Sequence, residues 1–129
     1  MDREFKILLL EDSNADVYLL RRHLAKKYPT MEMVDVSTRE DFERQLYKMK
    51  PDMIFSDYRL PLYSGIEALL YTRANMPTVP FIFVTGAMQN ERVAQNTILE
   101  GAHGFVLKNN LEKLDTVIAD LLGEEGLVA

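Results

Sequence analysis

Five residues of this sequence could share one piece of chemistry: Glu11, Asp12, Asp57, Thr85 and Lys108. Three carry carboxylates, one a hydroxyl and one a primary ammonium. Three carboxylates gathered in one crevice cannot all stay ionised comfortably without a cation. A hard divalent ion with oxygen ligands, Mg2+ above all, meets that need. A lysine and a hydroxyl beside it would complete a pocket for an added phosphoryl group. Each residue also has a plainer use. Asp12 and Asn14 are good helix-capping residues, Asp57 ahead of Pro61 and Gly65 suits a turn, Thr85 suits a capping or turn hydroxyl, and Lys108 suits open solvent. What favours the chemistry is where the five fall along the chain.

Each stands at the end of a short apolar run that reads as a strand. Residues 5–10 end at Glu11 and Asp12, residues 52–56 at Asp57, residues 81–84 at Thr85 and Gly86, and residues 105–107 at Lys108. A further, weaker strand over 31–36 is interrupted by Glu32 and Asp35. Helical patterns lie between. Residues 15–27 bury Val17, Leu20 and Leu24 behind an Asn14 cap and stop at Pro29. Ser37 and Glu40 make a capping box for a helix with Phe42, Leu46 and Met49, which Pro51 ends. A loop holding Pro61 and Gly65 leads to a helix facing inward with Ile66, Leu69 and Leu70. Val93 and Ile98 mark a less apolar helix over about 91–100, and Gly101 and Gly104 turn the chain into the next strand. Asn110 caps a last helix with Leu111, Leu114, Val117, Ile118 and Leu121 on one face, closed by Gly123.

The pattern is strand–helix, five times over. It predicts an α/β fold, a parallel sheet with helices on both faces. Parallel strands point one way, so their C-terminal residues share an edge, where such sheets bind ligands. Four chemically capable strand ends on one edge are not expected by chance.

Composition narrows the field. With 129 residues, 47% hydrophobic and 27% charged, the chain fits one domain over 1–129, with its core at about 5–122 and a loose tail over 123–129. No cysteine is present, which excludes disulfides, thiolate metal sites and cysteine nucleophiles. A net charge of −5 leaves no basic footprint for nucleic acid. The apolar runs fall far short of the roughly 20 residues that span a bilayer, and the acidic start, Met1-Asp2-Arg3-Glu4, has no signal region. A cytoplasmic domain away from membranes is expected.

Taken together, the chain strongly resembles the receiver domain of two-component response regulators, the CheY-like family, over about residues 5–122. The resemblance rests on Leu8-Leu9-Leu10-Glu11-Asp12, Ser56-Asp57-Tyr58-Arg59-Leu60-Pro61 with Gly65, Val84-Thr85-Gly86, and Gly104-Phe105-Val106-Leu107-Lys108, in that order. It implies a doubly wound five-stranded sheet of flavodoxin-like order 2-1-3-4-5. It also implies a phospho-accepting signalling domain rather than an enzyme, with only self-phosphotransfer and slow self-dephosphorylation. Asp57 matches the phosphoacceptor, Asp12 a direct Mg2+ ligand, Glu11 an acid acting through water, and the Arg59 backbone carbonyl the remaining protein ligand. Thr85 and Lys108 match the groups that meet the phosphoryl oxygens, and Phe105 the aromatic that shifts with Thr85. A histidine kinase or phosphotransfer protein upstream and a partner protein or domain downstream are implied, the latter at the face around the fourth helix and fifth strand. From its residue type alone, Phe105 is a core residue.

The sequence departs from the family at Asn109, where a proline usually follows the lysine. A cis bond without proline costs about 3 kcal/mol, so a trans Lys108–Asn109 peptide is expected, with Asn110 holding the loop. Arg59 and Ala87 occupy positions that tune phosphoryl lifetime in the family.

Other readings fit less well. Phosphatases with an aspartyl nucleophile carry Asp-x-Asp, but Arg59 takes the second position here. No phosphate-binding Gly-x-x-x-x-Gly-Lys loop and no Gly-x-Ser-x-Gly elbow occurs. Glu11 and Asp12 would repel a flavin phosphate. His23 and His103 lie too far apart in sequence to suggest a zinc pair. A receiver-like interaction module that no longer accepts phosphate is the remaining alternative.

Overall fold

A computed structural model describes residues 5–86, 92, 95, 96 and 100–123. The elements run β1 (Lys6–Leu10), α1 (Asn14–Ala25), β2 (Glu32–Val36), α2 (Arg39–Met49), β3 (Met53–Ser56), α3 (Gly65–Asn75), β4 (Phe81–Thr85), β5 (Gly104–Leu107) and α4 (Leu111–Leu122). The strands form one sheet in the order β2-β1-β3-β4-β5, with every neighbouring pair parallel. Most of the helix expected over 91–100, Ala87 and the tail after Gly123 lie outside the described residues; Arg92, Gln95 and Asn96 are helical.

The sheet is buried on both faces, which is why its central strands read as unbroken apolar runs. Successive strand residues point to opposite sides. Ile7 and Leu9 of β1, Phe55 of β3, Ile82 and Val84 of β4 and Val106 of β5 therefore pack with Val17, Leu20 and Leu24 of α1 and Leu114 and Ile118 of α4. Leu8, Leu10, Ile54, Phe81, Phe83 and Phe105 point the other way, onto Phe42, Leu46 and Met49 of α2 and Ala68 and Leu69 of α3. Each such side chain contributes about 1.5–3 kcal/mol when fully buried.

Helix starts differ from the sequence reading by single residues. Ser13, not Asn14, caps α1: its backbone is extended and its hydroxyl accepts from the Asp16 N–H at 3.2 Å. Thr38, not Ser37, caps α2 and accepts from the Asp41 N–H at 3.2 Å. Two overlapping boxes of equal spacing, Ser37/Glu40 and Thr38/Asp41, compete there, and both leave Phe42, Leu46 and Met49 facing inward. Asn110 does occupy the cap position of α4, but its side chain makes no capping bond. The loop is held instead by main chain, with the Asn110 N–H donating to the Leu107 carbonyl at 2.9 Å. Leu70 is 48% exposed, and Ala68 and Thr72 take the inward face of α3 beside Leu69. Gly123 ends α4 in the left-handed conformation, as expected. The Lys108–Asn109 peptide is trans.

Candidate functional site

The C-terminal edge of the sheet collects the polar strand ends. Glu11 follows β1, and its N–H donates to the Val36 carbonyl at 2.9 Å, continuing the ladder with β2. Asp57 follows β3, and its N–H donates to the Leu10 carbonyl at 3.0 Å. Main-chain pairing therefore sets both carboxylates side by side. Carboxylate oxygens of Glu11, Asp12 and Asp57 lie within 4.8 Å of one another, with Glu11 and Asp57 buried and Asp12 exposed. Three oxygen donors in that space suit a hard divalent cation such as Mg2+.

Lys108 reaches the cluster from the far side. Strand alternation places it on the same side as Val106, toward α1 and α4, and its N–H donates to the Thr85 carbonyl at 2.8 Å. Its Nζ lies 2.8 Å from Glu11 Oε1, 3.1 Å from Asp57 Oδ2 and 2.6 Å from Asp16 Oδ2. Asp16 was not among the residues singled out from sequence. The signal was available: Ser13-Asn14-Ala15-Asp16 has cap-box spacing, which puts Asp16 in the first turn of α1 at the same edge.

The charges have shifted titrations with identifiable causes. Burial pushes the Glu11 carboxyl above its ordinary range; the Lys108 ammonium and the Ser13 N–H oppose this, and nearby Asp57 adds to it. Burial pulls Lys108 down, but its hydrogen bonds to Asp16, Glu11 and Asp57 outweigh that and hold the ammonium above the usual lysine value. The lysine is thus a fixed cation shared among carboxylates.

The loop after Asp57 folds back tightly. The Gly65 N–H donates to the Tyr58 carbonyl at 3.2 Å, and the Ser56 hydroxyl donates to the Asp57 carbonyl at 2.8 Å. Arg59 is exposed in this loop. Thr85 is buried at the end of β4. Phe105 is buried in an aromatic group, its ring centroid 5.7 Å from Phe83 and 5.8 Å from Tyr58. Direct side-chain contacts therefore join Glu11, Asp57 and Lys108, with Asp12 beside them, whereas Thr85 meets Lys108 through main chain.

The two histidines serve elsewhere. His23 Nε2 lies 2.9 Å from Asp115 Oδ1, joining α1 to α4, and His103 Nδ1 accepts from the Phe81 N–H at 3.2 Å.

A doubly wound sheet with an acidic cluster and a lysine at its C-terminal edge defines a receiver-type signalling domain. Residues 7–119 match the family described as the response regulator receiver domain, and the chain belongs to that family. It is 30% identical over 109 residues, 84% of its length, to "Protein-glutamate methylesterase/protein-glutamine glutaminase 2" of Paramagnetospirillum magneticum. It covers 31% of that protein and 50% of the transcriptional regulatory protein LnrK of Bacillus subtilis, so it spans half or less of the length of these relatives. Among solved structures, the signal receiver domain of a putative Luxo repressor protein from Vibrio parahaemolyticus superposes with a TM-score of 0.79 at 25% identity, over 98% of each chain. The phosphorylated cyanobacterial phytochrome response regulator RcpA superposes at 0.73 with 25% identity, covering 92% of this chain and 91% of its own. Among the described residues, no helix is long and apolar enough to cross a membrane.

Proposed function

We propose that this domain takes a phosphoryl group on Asp57 from a phosphohistidine and thereby switches a surface that a partner reads. The observation that carries the reading is the Lys108 ammonium 3.1 Å from Asp57 Oδ2, beside three clustered carboxylates. An Asp57 oxygen would attack phosphorus; a P–O bond forms, the P–N bond breaks, and its electron pair stays on the donor imidazole. Lys108 supplies a compact charge with rotatable donors for the phosphoryl oxygens. Glu11, Asp12, Asp57 and the Arg59 carbonyl would hold Mg2+, which offsets the charge that builds during transfer. The phosphorylated state of the RcpA relative, at similar fold, supports the assignment.

Thr85 would then donate to the new phosphoryl oxygens, and its movement would change the packing around Phe105, a local event with a remote readout. A histidine kinase or phosphotransfer protein is the upstream partner, and a protein or domain that reads the switched face is downstream. The domain works in the cytoplasm, as a phosphoacceptor that turns over only its own phosphoryl group. Intact mass after acetyl phosphate and Mg2+ tests this. One added phosphoryl group in the wild type, absent from Asp57→Asn, is expected; an unchanged wild-type mass would overturn it.

A further inference from the structure

Lys108 has three N–H donors and three carboxylate partners, and the partners are not equivalent. Glu11 and Asp57 belong to the cluster that suits a divalent cation, whereas Asp16 does not. Asp16 is nevertheless the closest of the three, at 2.6 Å from Nζ, against 2.8 Å for Glu11 and 3.1 Å for Asp57. Its position is set by the start of α1, whose Ser13 cap also donates its N–H to Glu11 Oε2 at 3.1 Å. It sits in the first turn of α1, where the helix dipole favours a carboxylate, and its N–H is tied to the Ser13 cap. Lys108 is anchored through its own N–H to Thr85, so its ammonium works from a fixed root.

This arrangement bears on a conflict within the site. An ammonium and a divalent cation both draw on Glu11 and Asp57, and they repel each other. Without a partner outside the cluster, Lys108 would compete with the cation for those two carboxylates.

Resting on the function proposed above, we propose that Asp16 is a positioning residue: it holds the Lys108 ammonium off the cation cluster, so that lysine and divalent cation occupy the site together. The carboxylate would do this through Lys108, from outside the cluster of Glu11, Asp12 and Asp57.

Calorimetric titration with Mg2+ alone, with no phosphodonor present, tests it on a cycle of wild type, Asp16→Asn, Lys108→Met and the double variant, with two further Asp16 variants beside it. Asp16→Asn should weaken Mg2+ binding about three- to tenfold, the size of one partly exposed charge-assisted contact. Lys108→Met should tighten binding by removing the competing ammonium. In the Lys108→Met background, Asp16→Asn should change affinity less than about twofold, since only a screened remote charge is then lost. Asp16→Glu should restore most of the wild-type affinity. Asp16→Ser provides a second neutral variant with a good first-turn residue, should the asparagine protein fold poorly. An equal loss on Asp16 substitution with and without Lys108, or no loss at all, would overturn the positioning role while leaving the cation site standing. A wild type that binds no Mg2+ would instead remove the cation reading itself, and this inference with it.

Discussion

Gly65 packs against the main chain of Asp57 so closely that a methyl group there would overlap the Asp57 carbonyl oxygen and stand 2.5 Å from the Phe83 ring. The same residue closes the loop through its N–H to Tyr58. The candidate acceptor is thus supported from below by the absence of a side chain.

Gly65→Ala should therefore destabilise the domain by about 1–3 kcal/mol, the usual cost of forcing extra volume into a packed site. Its phosphorylation by acetyl phosphate should also slow, because the loop carrying Asp57 must move. Urea unfolding and the time course of mass gain check the two halves. Wild-type stability in the variant would show that the loop yields freely.

Asp12 is the exposed member of the carboxylate cluster, so its removal disturbs packing little. Asp12→Ala should keep the fold and lower Mg2+ affinity tenfold or more, by about 1.4 kcal/mol at least, since a charged ligand is lost. Titration giving equal affinity for both proteins would refute its place among the ligands.

Lys108 neutralises carboxylates that are crowded and partly buried. Lys108→Ala should leave them facing one another and cost about 1–3 kcal/mol of stability at neutral pH. Mg2+ should then raise the melting temperature of the variant more than that of the wild type, because it replaces a missing counter-charge. Phosphotransfer should slow at least tenfold. Equal Mg2+-induced shifts in the two proteins would argue against the shared-cation picture.

His103 gives the fold a pH dependence far from the site. Burial, and then the charge of Arg73, hold its imidazole below the ordinary histidine value, and its Nδ1 accepts the Phe81 N–H. A depressed folded-state value means the neutral ring is the stabilising form. Its contribution is full above about pH 6.5, the unfolded value, and is lost as pH falls toward the folded value. His103→Gln keeps an acceptor that does not titrate. The wild type should lose more denaturant stability than this variant between pH 7.5 and 5.5; parallel losses would exclude His103 as the cause.

Much of this was legible in the residues. The unbroken apolar runs of β1, β3 and β4 announce strands buried on both faces, and the helices between them make the sheet parallel. Parallel strands share a direction, so Glu11, Asp12, Asp57, Thr85 and Lys108 had to meet at one edge. Period and polarity are local properties of the chain, and they are enough to assign elements and the side of the sheet where chemistry sits.

Other features depend on neighbours distant in sequence. Whether Ser37 or Thr38 caps α2 is a choice between equivalent hydroxyls, decided by where β2 ends against β1. The exposure of Leu70 follows from which face of α3 meets Phe81 and Phe83. Asp16 and Lys108 are 92 residues apart, and no periodicity links them. Their contact exists because strand alternation turns Lys108 toward α1 and the Ser13 cap turns the first helical turn toward Lys108. The sequence by itself determined the fold and the inventory of charges at its edge. Tertiary structure alone decided which carboxylate each donor of the lysine meets, because that depends on ångström-scale placement by two elements that local propensity cannot relate.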